Sequence, residues 1–156
     1  MPEPLTAVID ATVLVSAFLT KGGVSAELLR FAREGVFLVF LSKDILIETE
    51  HTLGYDRIRE RYPYTDDDVA DFLNRLRIAA NLVAELPNLT VVRDPNDDMV
   101  IATAVRAHAA YIVTRDRDLL SLQQYQDITI ISPEAFIAIV RDQMPFSLQI
   151  EEDTQP

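Results

Sequence analysis

Carboxylates recur in this 156-residue chain just after stretches that read as buried strands. Asp10 closes the first such stretch, residues 5–9. Glu48 lies two turns into the helical stretch behind the second, residues 36–41. Asp94, Asp97 and Asp98 follow residues 89–92, and Asp116 and Asp118 follow residues 111–114. Singly, each has a structural explanation: Asp10, Asp97 and Asp98 suit helix N-termini, and Glu48 suits solvent. Gathered on one rim, they would repel and raise one another's pKa. A hard divalent cation, Mg2+ or Mn2+, relieves that repulsion through octahedral oxygen coordination. Such a site activates water and stabilises charge on a phosphodiester.

The elements that must gather these acids are legible as an alternation. Residues 5–9, 36–41, 89–92, 111–114 and 128–131 read as strands, continuously apolar instead of alternating. Between them, helical spacing appears over about residues 12–19 and 24–34, with Gly35 placed as a C-cap. Ser42 is an N-cap for a helix running through Leu53, and Gly54 interrupts it before Arg57 to Arg61. Thr65 with Asp66, Asp67 and Asp68 opens another helix; Asn96-Asp97-Asp98 and Ser132-Pro133-Glu134 open two more. Apolar strands alternating with helices predict a three-layer α/β/α sandwich around a central parallel sheet of about five strands. In such sheets ligands bind beyond the carboxyl ends of the strands, where the acids fall. The expected domain covers residues 1–145, and residues 146–156 are expected to form a disordered tail.

Composition narrows the function. With 49% hydrophobic and 25% charged residues, the chain suits one globular domain with one core. It has no cysteine, which excludes disulfide frameworks and thiolate zinc sites. Unbroken apolar runs stop at six residues, well short of a bilayer span. The N-terminus has no basic start and no apolar signal region, so a cytoplasmic protein without membrane contact is expected. The net charge of -11 opposes nucleic-acid binding unless bound cations reverse the local charge. A dinucleotide-binding turn fails for want of G-x-G-x-x-G. A phosphate-accepting receiver domain fails because no lysine follows Lys43.

In order and spacing, the acid-bearing segments resemble a known family. Val8-Ile9-Asp10-Ala11-Thr12-Val13-Leu14-Val15-Ser16 is similar to the opening motif of PIN domains, with Ala11 and Thr12 where Thr-Asn is usual. Asp97-Asp98-Met99-Val100-Ile101-Ala102 resembles their third acidic motif, and Val113-Thr114-Arg115-Asp116-Arg117-Asp118-Leu119-Leu120 their last. Ile47-Glu48 followed by Leu53 resembles their glutamate helix. The resemblance implies a metal-dependent ribonuclease whose four catalytic and metal-holding acids are Asp10, Glu48, Asp98 and Asp116, with Asp118 as a fifth contributor. Asp98 is preferred to Asp97 because Ile101 follows it by three residues, as in the motif. Thr114 corresponds to the hydroxyl that steadies the site.

The neighbours of these acids have two readings each. Thr12 is placed to hydrogen-bond a carboxylate. Ser16 shares a helix face with it, near the metal waters or bonded to its own backbone. Arg115 and Arg117 flank Asp116, suited to an RNA phosphate or to a nearby acid. His51 reads as an exposed histidine, and His108 as favouring a helix C-terminus. Family resemblance further implies the toxin of a toxin–antitoxin pair, with RNA as substrate, a cognate antitoxin as partner and a homodimer. Leu53, Ile58, Phe72 and Leu76 are the apolar positions that such a dimer would cover. The competing reading is a PIN fold of weak or lost activity that serves as an interaction scaffold.

Overall fold

The computed structural model describes residues 3–144, so the tail expected at 146–156 lies outside the described residues. The chain runs β1 (Thr6–Ile9), α1 (Ala11–Leu19), α2 (Val24–Arg33), β2 (Leu38–Ser42), α3 (Lys43–Leu53), α4 (Asp56–Arg59) and α5 (Asp66–Ala79). It continues through β3 (Asn81–Val83), α6 (Pro95–Ala107), β4 (Tyr111–Val113), α7 (Arg117–Leu122), β5 (Gln124–Tyr125), β6 (Ile128–Ile131) and α8 (Pro133–Gln143). The sheet order is β3-β2-β1-β4-β6-β5. All neighbours pair parallel except β5 and β6. Helices flank this sheet in the three-layer sandwich that the alternating pattern predicts. β1 is its buried centre, with Ala7, Val8 and Ile9 wholly inaccessible.

The order places a topological switch between β1 and β4. From β1 the chain moves outward to β2 and β3, then returns to the other side of β1 and continues through β4 to β6. The crevice at the carboxyl ends of β1 and β4 is where such sheets bind ligands. Local signals set the elements on either side. Ser42 accepts from the Ile45 N–H at the start of α3, and a reciprocal capping box joins Thr65 and Asp68 at the start of α5. Gly35, at φ 77°, ends α2, and the Val36 N–H reaches back to the Phe31 carbonyl at 2.9 Å.

The sheet departs from expectation at its edges. It has six strands, because Gln124–Tyr125 folds back on β6 as a short antiparallel partner. Residues 89–92 are not a strand; two of their backbone N–H groups bond a side chain instead. The strand that pairs with β2 is Asn81–Val83, short and half-exposed, so it carries no apolar run. β2 itself starts later, at Leu38, because the turn at Gly35 uses Val36.

The apolar positions expected at a dimer surface are largely enclosed by their own domain. Leu53 and Leu76 are buried, and Phe72 packs against the core and Phe18. No single helix among the described residues is long and apolar enough to cross a membrane.

Gly35 offers a clean test of this local reading. No atom lies within 4 Å of a Cβ added there, so Gly35→Ala meets only the cost of a left-handed backbone. Urea denaturation should show a loss of about 1 kcal/mol. An unchanged midpoint would mean that the turn relaxes.

Candidate metal centre

Asp10 leaves β1 at the switch point and is 3% exposed. A carboxylate there must be hydrogen-bonded to be tolerated. The hydroxyls of Thr12 and Thr114 each donate to one of its oxygens at 2.5 Å, and the Val13 N–H adds a cap bond at 3.3 Å. Each hydroxyl accepts in turn: Thr12 Oγ1 from the Arg115 N–H at 3.1 Å, and Thr114 Oγ1 from the Asp116 N–H at 2.9 Å. Asp10 therefore caps α1 and anchors the loop that carries Asp116 and leads into α7, where Asp118 lies. Burial pushes its pKa up to about 6 against the lowering effect of these bonds.

Across the crevice, Asp97, Asp116 and Asp118 bring one carboxylate oxygen each within 4.8 Å of one another. Asp116 is fixed as the N-cap of α7, accepting from the Asp118 N–H at 2.8 Å. Asp97 is 6% exposed, and its Oδ2 has no hydrogen-bond partner. Burial pushes its pKa up to about 7, with the charges of Asp116, Asp94, Asp118 and Asp10 adding to the effect. Glu48, half-buried on α3, is raised by burial and by the charges of Asp10, Asp94 and Asp116. The acids thus share one rim. An orphaned buried oxygen within an all-carboxylate donor set fits a hard divalent cation.

Not every residue singled out by spacing points here. Asp98 turns away: its Oδ1 accepts the Val91 and Val92 N–H groups, both at 2.8 Å. Asp97 occupies the rim in its place. Both aspartates are buried in the first turn of α6, which starts at Pro95, so it is the Val91 and Val92 N–H groups that separate them. Asp94 caps that helix through the Asn96 N–H at 2.9 Å. Arg115 pairs with Glu134 at 2.8 Å, while Arg117 is exposed and meets no carboxylate among the described residues. Ser16 is half-buried on α1, and among the described residues its side chain makes no hydrogen bond to the acids. His51 is exposed on α3, and His108 closes α6 in a left-handed conformation.

A family model described as PIN domain matches residues 6–118, which include all the acids of the rim. The chain belongs to the PIN domain family. PIN domains are generally nucleases and often metal-dependent, and Asp97, Asp116 and Asp118 form an acidic group able to hold a metal ion. The uncharacterized protein MJ1680 of Methanocaldococcus jannaschii is 27% identical over 116 residues, which cover 74% of each chain.

The raised acids predict a pH signature for this PIN domain. A carboxyl whose folded pKa lies above its unfolded value contributes stability fully present below about pH 4. That contribution is lost as pH rises through the folded values, about 6 for Asp10 and about 7 for Asp97. Without divalent cations, the melting temperature should fall between about pH 4 and 7. Saturating Mn2+ should cancel the fall, and a melting temperature flat with pH in both conditions would contradict the reading.

Proposed function

We propose that this PIN domain is a ribonuclease that uses Mg2+ or Mn2+ to hydrolyse RNA phosphodiester bonds, leaving a 5′-phosphate and a 3′-hydroxyl. The observation that carries the reading is Asp97, buried with an orphaned Oδ2 and bringing one carboxylate oxygen within 4.8 Å of one each from Asp116 and Asp118. In this assignment Asp97, Asp116 and Asp118 would hold the cation, and Asp10 and Glu48 complete the charge around it. Asp97 takes the role that motif spacing assigned to Asp98. Bound there, the cation would neutralise charge on the scissile phosphate and activate water.

The chain's own groups do the rest. Thr12 and Thr114 hold the Asp10 carboxylate still, and Asp10 through them holds the Asp116 loop. Glu48 makes no hydrogen bond among the described residues, and its raised pKa suits it to accept a proton. Arg117, exposed beside Asp116, remains a candidate for an RNA phosphate; Arg115 is held by Glu134. The toxin role, a cognate antitoxin and a homodimer rest on the motif resemblance. An acidic rim is what an antitoxin's basic side chain would complement. Growth arrest on expression, relieved by a small adjacent gene, tests that part.

Two adjacent aspartates separate catalysis from architecture. Asp97→Asn should abolish Mn2+-dependent RNA cleavage and the cation-induced rise in melting temperature. It should also stabilise the metal-free protein near pH 7, where one repelling charge is gone. For the parent protein, that cation effect is about 2.7 kcal/mol at a hundredfold excess over Kd. Asp98→Ala should instead cost about 1–3 kcal/mol, by orphaning the Val91 and Val92 N–H groups, and keep the cation effect. Full cleavage by Asp97→Asn would sink the assignment.

A further inference from the structure

We propose that residues 145–156 of this chain dock back into the groove between α2 and α5, with Phe146, Leu148 and Ile150 on its apolar floor and Glu151, Glu152 and Asp153 against its cations. The groove is open, with a volume of about 860 Å3, and no acid of the rim lines it. The inference therefore stands apart from the ribonuclease reading. Half-buried Phe18, Leu29 and Phe72 form the floor. An apolar recess of about 50 Å3 adjoins it, lined by Val39, Leu41 and Leu76. Leu29, Phe72, Arg33 and Arg75 border both spaces. Apolar surface held open in this way is stabilised by a segment with one apolar side.

Charge and position select the occupant. Lys21, Arg30, Arg33 and Arg75 line the groove together with Glu27, Asp68 and Asp71. Two of those acids are already engaged: Glu27 by Arg30 at 3.7 Å and Arg141 at 2.6 Å, and Asp68 by the Thr65 N–H at 2.9 Å. Arg33 and Arg75 are exposed and pair with no carboxylate among the described residues. In a chain of net charge -11, this is a local surplus of cation. α8 packs on α2, and Arg141, in the last turn of α8, holds Glu27 on the groove's own wall. The chain thus leaves α8 beside the groove. In the sequence that follows, Phe146, Leu148 and Ile150 alternate with polar residues and precede the three acids. Extended, such a segment carries its apolar side chains on one side. Residues 145–156 then reach up to about 40 Å, ample to cross a helix about 10 Å wide. Tethering supplies an effective concentration on the order of millimolar, which a separate partner must match. Exposed ion pairs contribute little, so the apolar residues supply most of the affinity and the charges set the register.

Hydrogen exchange of the full chain, followed by mass spectrometry beside a free peptide of residues 145–156, tests this. Amides of residues 146–150 should exchange at least about tenfold more slowly in the chain than in the peptide, at any protein concentration. Phe146→Ser with Leu148→Ser should abolish that protection. Arg33→Glu with Arg75→Glu should reduce it, and adding Glu151→Lys with Glu152→Lys should restore part of it. Exchange in wholly buried β1 is the internal control and should stay as in the parent throughout. The docking is overturned if the parent shows no protection or if protection survives either pair of substitutions. It is equally overturned if protection grows with concentration alongside a dimer mass in light scattering, which would make a second copy the occupant. None of these substitutions touches the rim, so the presence or absence of RNA cleavage leaves the result as it stands.

Discussion

A carboxylate buried at the end of the central strand cannot be left without partners, and the way Asp10 is satisfied organises the rest of the site. Each of its oxygens accepts a threonine hydroxyl, and each hydroxyl accepts a backbone N–H from the loop after β4. The two relays leave from different elements, Thr12 at the start of α1 and Thr114 at the end of β4. They close a ring of bonds around one anion. Strand order brings β1 beside β4, but these bonds fix how the loop carrying Asp116 sits over the crevice. Moving Asp10 would leave two hydroxyls and the Val13 N–H to find new partners.

Repulsion among the acids is contained by the same device, repeated. Asp10, Asp94 and Asp116 are the N-caps of α1, α6 and α7, so helix N-termini converge on the rim with their free N–H groups turned toward carboxylates. Capping and cation binding are therefore not competing explanations for these aspartates. The caps hold the carboxylates in place at close range, and closeness creates the field that a cation would relieve. Asp97 is the exception. It sits inside the first turn of α6, buried and with one oxygen unsatisfied, which locates the field's unrelieved point.

Much of this was readable from sequence because the governing forces were local or periodic. The continuous apolar runs of β1, β4 and β6, the caps at Ser42, Thr65 and Ser132, and the turn at Gly35 all leave chemical marks on their own residues. The edges did not. β3 and β5, three and two residues long, are too short to show a pattern, and owe their strand geometry to a neighbour already in place. Residues 89–92 misled for the opposite reason: their apolar side chains pack on the core while their backbone is held by Asp98, a bond no strand pattern encodes. At the site, motif spacing located the pair Asp97-Asp98 but not which member faces the rim. That choice turns on the Val91 and Val92 N–H groups, which take the Asp98 carboxylate and leave no mark in the motif.

The charge of -11 would suit this chain poorly to a polyanion if charge were spread evenly. It is not. Several arginines are held by acids on the outer helices, Arg59 by Asp66, Arg115 by Glu134 and Arg141 by Glu27. Arg117, next to Asp116 in the first turn of α7, is exposed and meets no carboxylate among the described residues. A cation bound at the rim would change the sign of what an approaching phosphate meets there, with Arg117 next in the chain to Asp116. Cation and RNA would then each strengthen the binding of the other, by the same factor in both directions. An acidic chain that is to receive a polyanion needs that coupling, because carboxylates without a cation repel it. Affinity would rise only where the chemistry is ready to follow.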